Sequence, residues 1–434
     1  MPATTSPAAA VHPDPASNTP VAPAILIEPA AAPCAFISSA PTATKQLTRL
    51  PLIPTGILRQ HRCFVSTDTR FRAAARLLQS LWRADQQLPM SLHVSANEQP
   101  TSVKLGSRLT AAAGHAGRNF VSPEVYALVR RELILREEGA CIDEDRLNTN
   151  LLSSMPLAFN LLGPLALDLD LASRVLAQLL PTFIHSVQGI SFEHSPGRGD
   201  PKYLSDGTAF DAVVAVTTPD GEPATIFVEV KYSEAMTGPA ATRRPRYDEA
   251  SRQVRLFQDP DSPELRTVAL EQLWREHMLG QLAVDHGAAN KAVFVAIAPR
   301  LNRRAMAAFQ LYTSQLADPE PEDELRVPFV GLTLETFIEA LAAAGATDLA
   351  TQLRQRYLDF QRVLELALTP PAKPLSSPRR RARPAKRVVT QPQPPQASSP
   401  QRRPQERHAS LRQQRGRPTV SPTNSRPQPS SSAR

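Results

Sequence analysis

Apolar residues recur along this chain with two periods, and the change between them marks its organisation. Between residues 59 and 152 the spacing is mainly helical. Phe71-Arg72-Ala73-Ala74-Ala75-Arg76-Leu77-Leu78-Gln79-Ser80-Leu81-Trp82 predicts an amphipathic helix, with Ser66, Thr67 and Asp68 as candidate N-caps. Pro123 marks the start of another helix, through Leu135. From Met155 onward helical and extended patterns alternate. The expected elements are a helix over 170–180, a short strand around 190–193, two strands between Phe210 and Lys231, and a helix over 263–286. A charged, Pro-containing insertion over 238–263 precedes that helix. A fully apolar strand, Ala292–Ala298, comes next, then a helix over 302–316, a strand around 328–332 and helices through 368. This order predicts an α/β fold, a mixed β-sheet flanked by helices, with a mainly helical region before it.

Both ends break the pattern. Residues 1–45 are Ala-, Pro-, Ser- and Thr-rich without apolar periodicity, and 369–434 are dominated by Pro, Ser, Gln and Arg. Neither segment can bury enough apolar area to offset its ordering entropy, so both are expected to be disordered. The expected division is therefore a leader (1–45), a helical accessory region (46–154), an α/β core (155–368) and a basic tail (369–434). Charge follows the same division. The chain's net +8 hides a tail of +14, which leaves a mildly acidic remainder of −6. Three scattered cysteines, Cys34, Cys63 and Cys141, form no metal-ligand spacing and no disulfide framework. With no basic residue before Lys45 and no apolar run of membrane-spanning length, the expectation is a soluble, cytoplasmic protein without membrane contact.

The candidate chemistry lies in the strand pair. Phe210-Asp211-Ala212-Val213-Val214 and Ile226-Phe227-Val228-Glu229-Val230-Lys231 are joined through Thr218-Pro219-Asp220-Gly221-Glu222. Pro, Asp and then Gly suit a type I turn closed by a left-handed residue, which is a three-residue hairpin loop. Thr218 then faces Glu222, and counting back along both strands sets Asp211 opposite Glu229 on one face, with Lys231 two residues further along that face. The other residues of both faces are largely apolar, as in strands covered by helices on both sides. Two carboxylates and an ammonium confined to one end of such a hairpin fit either a divalent-metal site or a structural ion pair.

This constellation and order of elements resemble the PD-(D/E)XK nuclease superfamily, whose hairpin carries Asp on one strand and Glu-x-Lys on the next. Further blocks resemble a largely uncharacterised bacterial branch of it: Leu151-Leu152-Ser153-Ser154-Met155-Pro156-Leu157-Ala158-Phe159-Asn160-Leu161, Phe192-Glu193-His194-Ser195-Pro196-Gly197-Arg198, Thr208-Ala209-Phe210-Asp211 and Glu229-Val230-Lys231-Tyr232-Ser233-Glu234. The similarity runs from about Phe71 to Leu332. Phe210 stands where the superfamily's name has Pro. The resemblance implies a restriction-endonuclease-like fold and a Mg2+- or Mn2+-dependent nuclease acting on DNA. Asp211 and Glu229 would ligate the metal, the Val230 carbonyl would be a third oxygen donor, and Lys231 would position or activate the attacking water. Glu193 is the candidate for the additional acidic residue that this fold often carries.

Other candidates are substrate contacts. Arg198 and Lys202 precede the hairpin, and His277 and Gln281 follow Glu271 and Gln272 on a polar helix face. In the tail, Arg379, Arg380, Arg381, Arg383, Lys386 and Arg387, then Arg402 and Arg403, suit salt-sensitive attraction to nucleic acid. A cutter of both strands with one site per chain is expected to act as a homodimer. The competing expectation is a non-catalytic nucleic-acid-binding or scaffolding protein on the same fold.

Overall fold

Two sheets are formed by the strands of the described residues. The structure, a computed structural model, describes residues 47–94, 102–140, 142–237, 243–319, 321, 323 and 325–369. The expected leader and nearly all of the expected tail, with its arginine clusters, lie outside these residues, as do Cys34, Cys141 and part of the insertion. A small antiparallel sheet pairs β1 (Met90–Val94) with β2 (Ser102–Leu109). The main sheet contains β3 (Ser186–His194), β4 (Phe210–Thr217), β5 (Pro223–Val230), β6 (Ala292–Ala298) and β7 (Phe329–Thr333), in that spatial order. β3, β4 and β5 are antiparallel neighbours, whereas β5, β6 and β7 run parallel. This is the expected α/β architecture, a mixed sheet between layers of helix.

Alternation along the strands divides the core in two. Ala212, Val214, Val216, Ile226, Val228, Val230, Val293, Val295 and Ile297 point to one side, under the helices Ser154–Leu167, Leu169–Leu179 and Leu334–Ala343. Phe210, Phe227, Ala292, Phe294, Ala296 and Ala298 point to the other, under Glu271–Asp285 and Arg303–Thr313. All of β6 is buried, as expected of a central parallel strand covered on both faces. Gly280 brings the helix Glu271–Asp285 close to the sheet, since a Cβ there would sit 3.0 Å from the Phe227 ring. That close approach is what presents this helix's polar first turns to the strand ends.

Several local expectations are revised. Thr69, not Ser66, Thr67 or Asp68, caps the helix Arg70–Asp85, its hydroxyl accepting from the Arg72 N–H at 3.1 Å. Asp68 instead pairs with Arg76 at 2.6 Å. The accessory region contains β1 and β2 as well as helices. It also shares a hydrophobic core with the α/β elements: Phe71 meets Tyr232 edge-on at 6.2 Å, and the Gln79 amide donates to Tyr232 Oη at 3.1 Å. The insertion folds in part as the helix Pro245–Val254, and the helix expected from 263 begins only at Glu271, after a short 3-10 turn. Among the described residues no single helix is long and apolar enough to cross a membrane.

Candidate active site at the open end of the hairpin

The loop behaves as its residues require. Gly221 takes φ +86°, its N–H donates to the Thr218 carbonyl at 3.0 Å, and the Thr218 N–H donates to the Glu222 carbonyl at 2.8 Å. Pairing then runs from Thr217↔Pro223 to Ala212↔Val228, which is the expected register and leaves Asp211 across from Glu229 just beyond the ladder. There the Asp211 side chain replaces a ladder bond: its Oδ2 accepts from the Val230 N–H at 2.7 Å. On the other side of β4, the pairs Phe192↔Ala212 and His194↔Phe210 set Glu193 across from Asp211. Glu193, Asp211 and Glu229 therefore form one row across three strands.

The helix Glu271–Asp285 closes this row. Glu229 and Lys231 are only 3% and 4% exposed, and the Lys231 ammonium is ion-paired to Glu229 Oε1. Lys231 Nζ also donates to Gln272 Oε1 at 2.5 Å. The Gln272 amide donates in turn to Glu229 Oε1 at 2.8 Å and to Glu276 Oε1 at 2.7 Å. Gln272 thus locks strand to helix. Glu276 is buried, and its Oε2 has no hydrogen-bond partner. Sequence reading passed over Glu276; its place one helical turn after Gln272 on the same face was the available clue.

Burial, reinforced by crowded negative charge, dominates the electrostatics. Asp211 keeps some exposed area as a residue, but burial of its carboxyl, reinforced by Glu229 and Glu193, pushes its pKa well above the carboxylate range; Lys231 and the Val230 N–H offset this only in part. Burial and Glu229 likewise push Glu276 up. For Lys231, burial works against the charge, yet Glu229, Glu276 and Glu234 outweigh it and hold the ammonium protonated. Lys231 is the ammonium set among these four acidic groups, and Arg198 and Arg146 offset Glu193 only in part, so the row carries more negative than positive charge.

Glu193 supplies a test through pH. Its carboxyl is raised from 4.5 to about 7, by burial first and then by Glu229. The folded, metal-free protein therefore holds a proton that the unfolded chain releases, and its stability falls as pH rises from about 4.5 through about 7. Glu193→Gln should shrink the loss of melting temperature between about pH 5 and about pH 8 in EDTA. An unchanged loss would place the Glu193 carboxyl in solvent. Its backbone is also unusual, with φ +51°, and is held by the Arg198 guanidinium donating to the Glu193 carbonyl at 2.9 Å.

The remaining candidates separate. Arg198 lines a cleft of about 180 Å³ beside Glu193, Gln272 and Glu276. Its guanidinium, however, is occupied by Glu137, the Gly207 carbonyl and the Glu193 carbonyl. Lys202 is exposed in the preceding loop and is not part of that cleft. His277 and Gln281 are not brought to the carboxylates. His277 is fully buried between Tyr312 Oη at 3.0 Å and the Val327 carbonyl at 2.7 Å, and burial lowers its pKa to about 4. Gln281 donates to the Leu325 carbonyl and accepts from the Val327 N–H, at 2.8 and 2.9 Å. Both pin the approach to β7. The expected polar face is in fact sealed, because His277, five residues past Gln272, and Gln281, nine past it, turn away from the face that Gln272 shares with Glu276.

A model of the PD-(D/E)XK nuclease superfamily matches residues 66–359, well over half of the chain and beyond the blocks quoted above at both ends. The chain belongs to that superfamily. Searches against curated proteins and against solved structures found no match.

Proposed function

We propose that this protein is a divalent-metal-dependent nuclease that hydrolyses phosphodiester bonds in DNA, with Asp211, Glu229 and Lys231 at its centre. One observation carries the reading: Asp211 and Glu229 lie side by side at a strand end, enclosed with further carboxylates and too little positive charge to balance them. A hard cation with oxygen preference answers that imbalance. Asp211 Oδ1, Glu229 and the Val230 carbonyl would hold it. Among the described residues no set of three or more His, Cys, Asp or Glu side chains is arranged to hold a metal, so the fit is for two carboxylates completed by backbone and water oxygens. When bound, the ion would acidify a water and offset charge on the phosphoryl oxygens.

The chain's own groups do the positioning. The Val230 N–H fixes the orientation of Asp211, and Gln272 fixes Glu229 and Lys231 against each other. Lys231, kept charged by its acidic neighbours, holds the attacking water by a hydrogen bond and places positive charge near the scissile phosphate. Access would come through the cleft lined by Glu193, Gly207, Thr208, Ala209 and Glu276, beside the carboxylate row.

The test is incubation of plasmid and linear DNA with the purified protein in Mg2+, Mn2+ or EDTA, alongside Asp211→Ala and Lys231→Ala. Metal-dependent nicking lost in both variants is expected. Binding without cleavage in every metal would instead favour a scaffolding role. Removal of residues 369–434 is expected to weaken DNA binding at low salt and flatten its salt dependence, because the tail's cations release counterions on binding. Metal affinity should not change; a collapse would mean that the tail belongs to the site.

A further inference from the structure

A second cleft lies apart from the carboxylate site. It measures about 670 Å³, within the usual range for small-molecule sites, and shares no lining residue with the cleft beside Glu193. It lies between the accessory region and the C-terminal helices. Its wall includes Trp82, Phe120 and Tyr126, the last two stacked at 5.4 Å. It also includes three guanidinium groups, Arg118, Arg356 and Arg362.

Arg356 is the anomaly. It is 2% exposed, yet its partners are neutral: the Asn119 carbonyl at 2.8 Å, Asn119 Oδ1, and Gln79 Oε1 at 3.5 Å. Its Cζ lies 4.0 Å over the Trp82 ring. Among the described residues no carboxylate forms an ion pair with it. The cleft's two carboxylates are engaged elsewhere, Asp85 with Arg362 and Asp359 as the cap of the helix Phe360–Leu368. A buried guanidinium without a counter-charge is costly unless an anion arrives. Arg118, exposed at the same wall, adds to the field.

We propose that this cleft binds a nucleotide unit, with its base against the aromatic wall and its phosphate at the exposed Arg118, where the buried charge of Arg356 adds to the attraction without touching the ligand. An aromatic surface next to guanidinium is the combination that stacks a base while neutralising its phosphate. The amides of Gln86 and Gln355 at the rim suit a base edge. The unit comes either from a free nucleotide or from a single strand, and both present the same chemistry. This site stands whether or not the carboxylate site cleaves.

The chain has two tryptophans, and Trp274 is buried, so Trp274→Phe leaves Trp82 as the sole reporter. Its fluorescence is titrated in EDTA with AMP, with a dT hexamer and with inorganic phosphate. Saturable quenching by AMP or the hexamer is expected, without quenching by phosphate. Arg118→Glu should weaken that binding about tenfold or more through charge reversal, and Asp211→Ala should leave it unchanged. Tighter binding of the hexamer identifies a strand site; tighter binding of AMP identifies a free-nucleotide site. Calorimetry on the unsubstituted protein and on Arg118→Glu gives the same comparison should Trp274→Phe fail to fold. Linear quenching with both ligands, or affinity indifferent to Arg118→Glu, overturns the proposal. Cleavage of plasmid DNA without quenching would remove this site and leave the nuclease reading; quenching without cleavage would do the reverse.

Discussion

Asp211→Asn is expected to reduce Mg2+-dependent DNA cleavage by on the order of 10³-fold or more, the scale seen when one member of a catalytic unit is removed. The fold should survive the change. Asn keeps an oxygen that can accept from the Val230 N–H, as Asp211 Oδ2 does now. It also removes an acidic group that burial, Glu229 and Glu193 all disfavour in its charged form. In EDTA the variant should therefore melt no lower than the parent. Added Mg2+ should separate them, because a ligand that binds only the folded state raises stability in proportion to the logarithm of its concentration over Kd. The parent should gain melting temperature with Mg2+ and the variant should gain little. Plasmid nicking and paired melting curves with and without metal provide the check. A variant that cleaves within about tenfold of the parent would remove Asp211 from the centre of the mechanism.

The hairpin was legible because its register depends on local chemistry. Pro219, Asp220 and Gly221 set the loop, and strand periodicity carries that setting to Asp211 and Glu229. Long-range features were harder to read. Glu193 joins the row only through the pairing of β3 with β4, which no short segment specifies. Gln272 and Glu276 sit on a helix whose polar residues resemble a solvated face, yet that helix is buried from Leu273 to Val284 except at Arg275. The same ambiguity misdirected the expectation for His277 and Gln281, which satisfy backbone groups near β7. Arg198 shows the limit for loop cations: its charge could have served a phosphate, but three acceptors in its own fold engage it. β1 was overlooked although Met90-Ser91-Leu92-His93-Val94 alternates, because five residues inside a helical region carry little weight.

Lys231→Met is expected to abolish cleavage and also to destabilise the metal-free protein by about 3–5 kcal/mol, the cost of leaving one member of a buried ion pair behind. Glu229 is the group left behind, at 3% exposure, with only the Gln272 amide still donating to its Oε1. Gln272 Oε1 would lose its ammonium donor at the same time. Adding Glu229→Gln to Lys231→Met removes the stranded charge, and the double variant should recover most of the stability while remaining inactive. Lys231→Arg keeps the charge but must fit a bulkier planar group into the same space, and Arg cannot give up its proton near neutral pH. It should fold better than Lys231→Met and still fail to cleave at the parent's rate. Urea denaturation of the four proteins in EDTA, with nicking assays in Mg2+, separates these outcomes. If Lys231→Met costs no more than a surface substitution, about 0.5 kcal/mol, Glu229 is not a buried anion and the charge balance argued for the site is wrong.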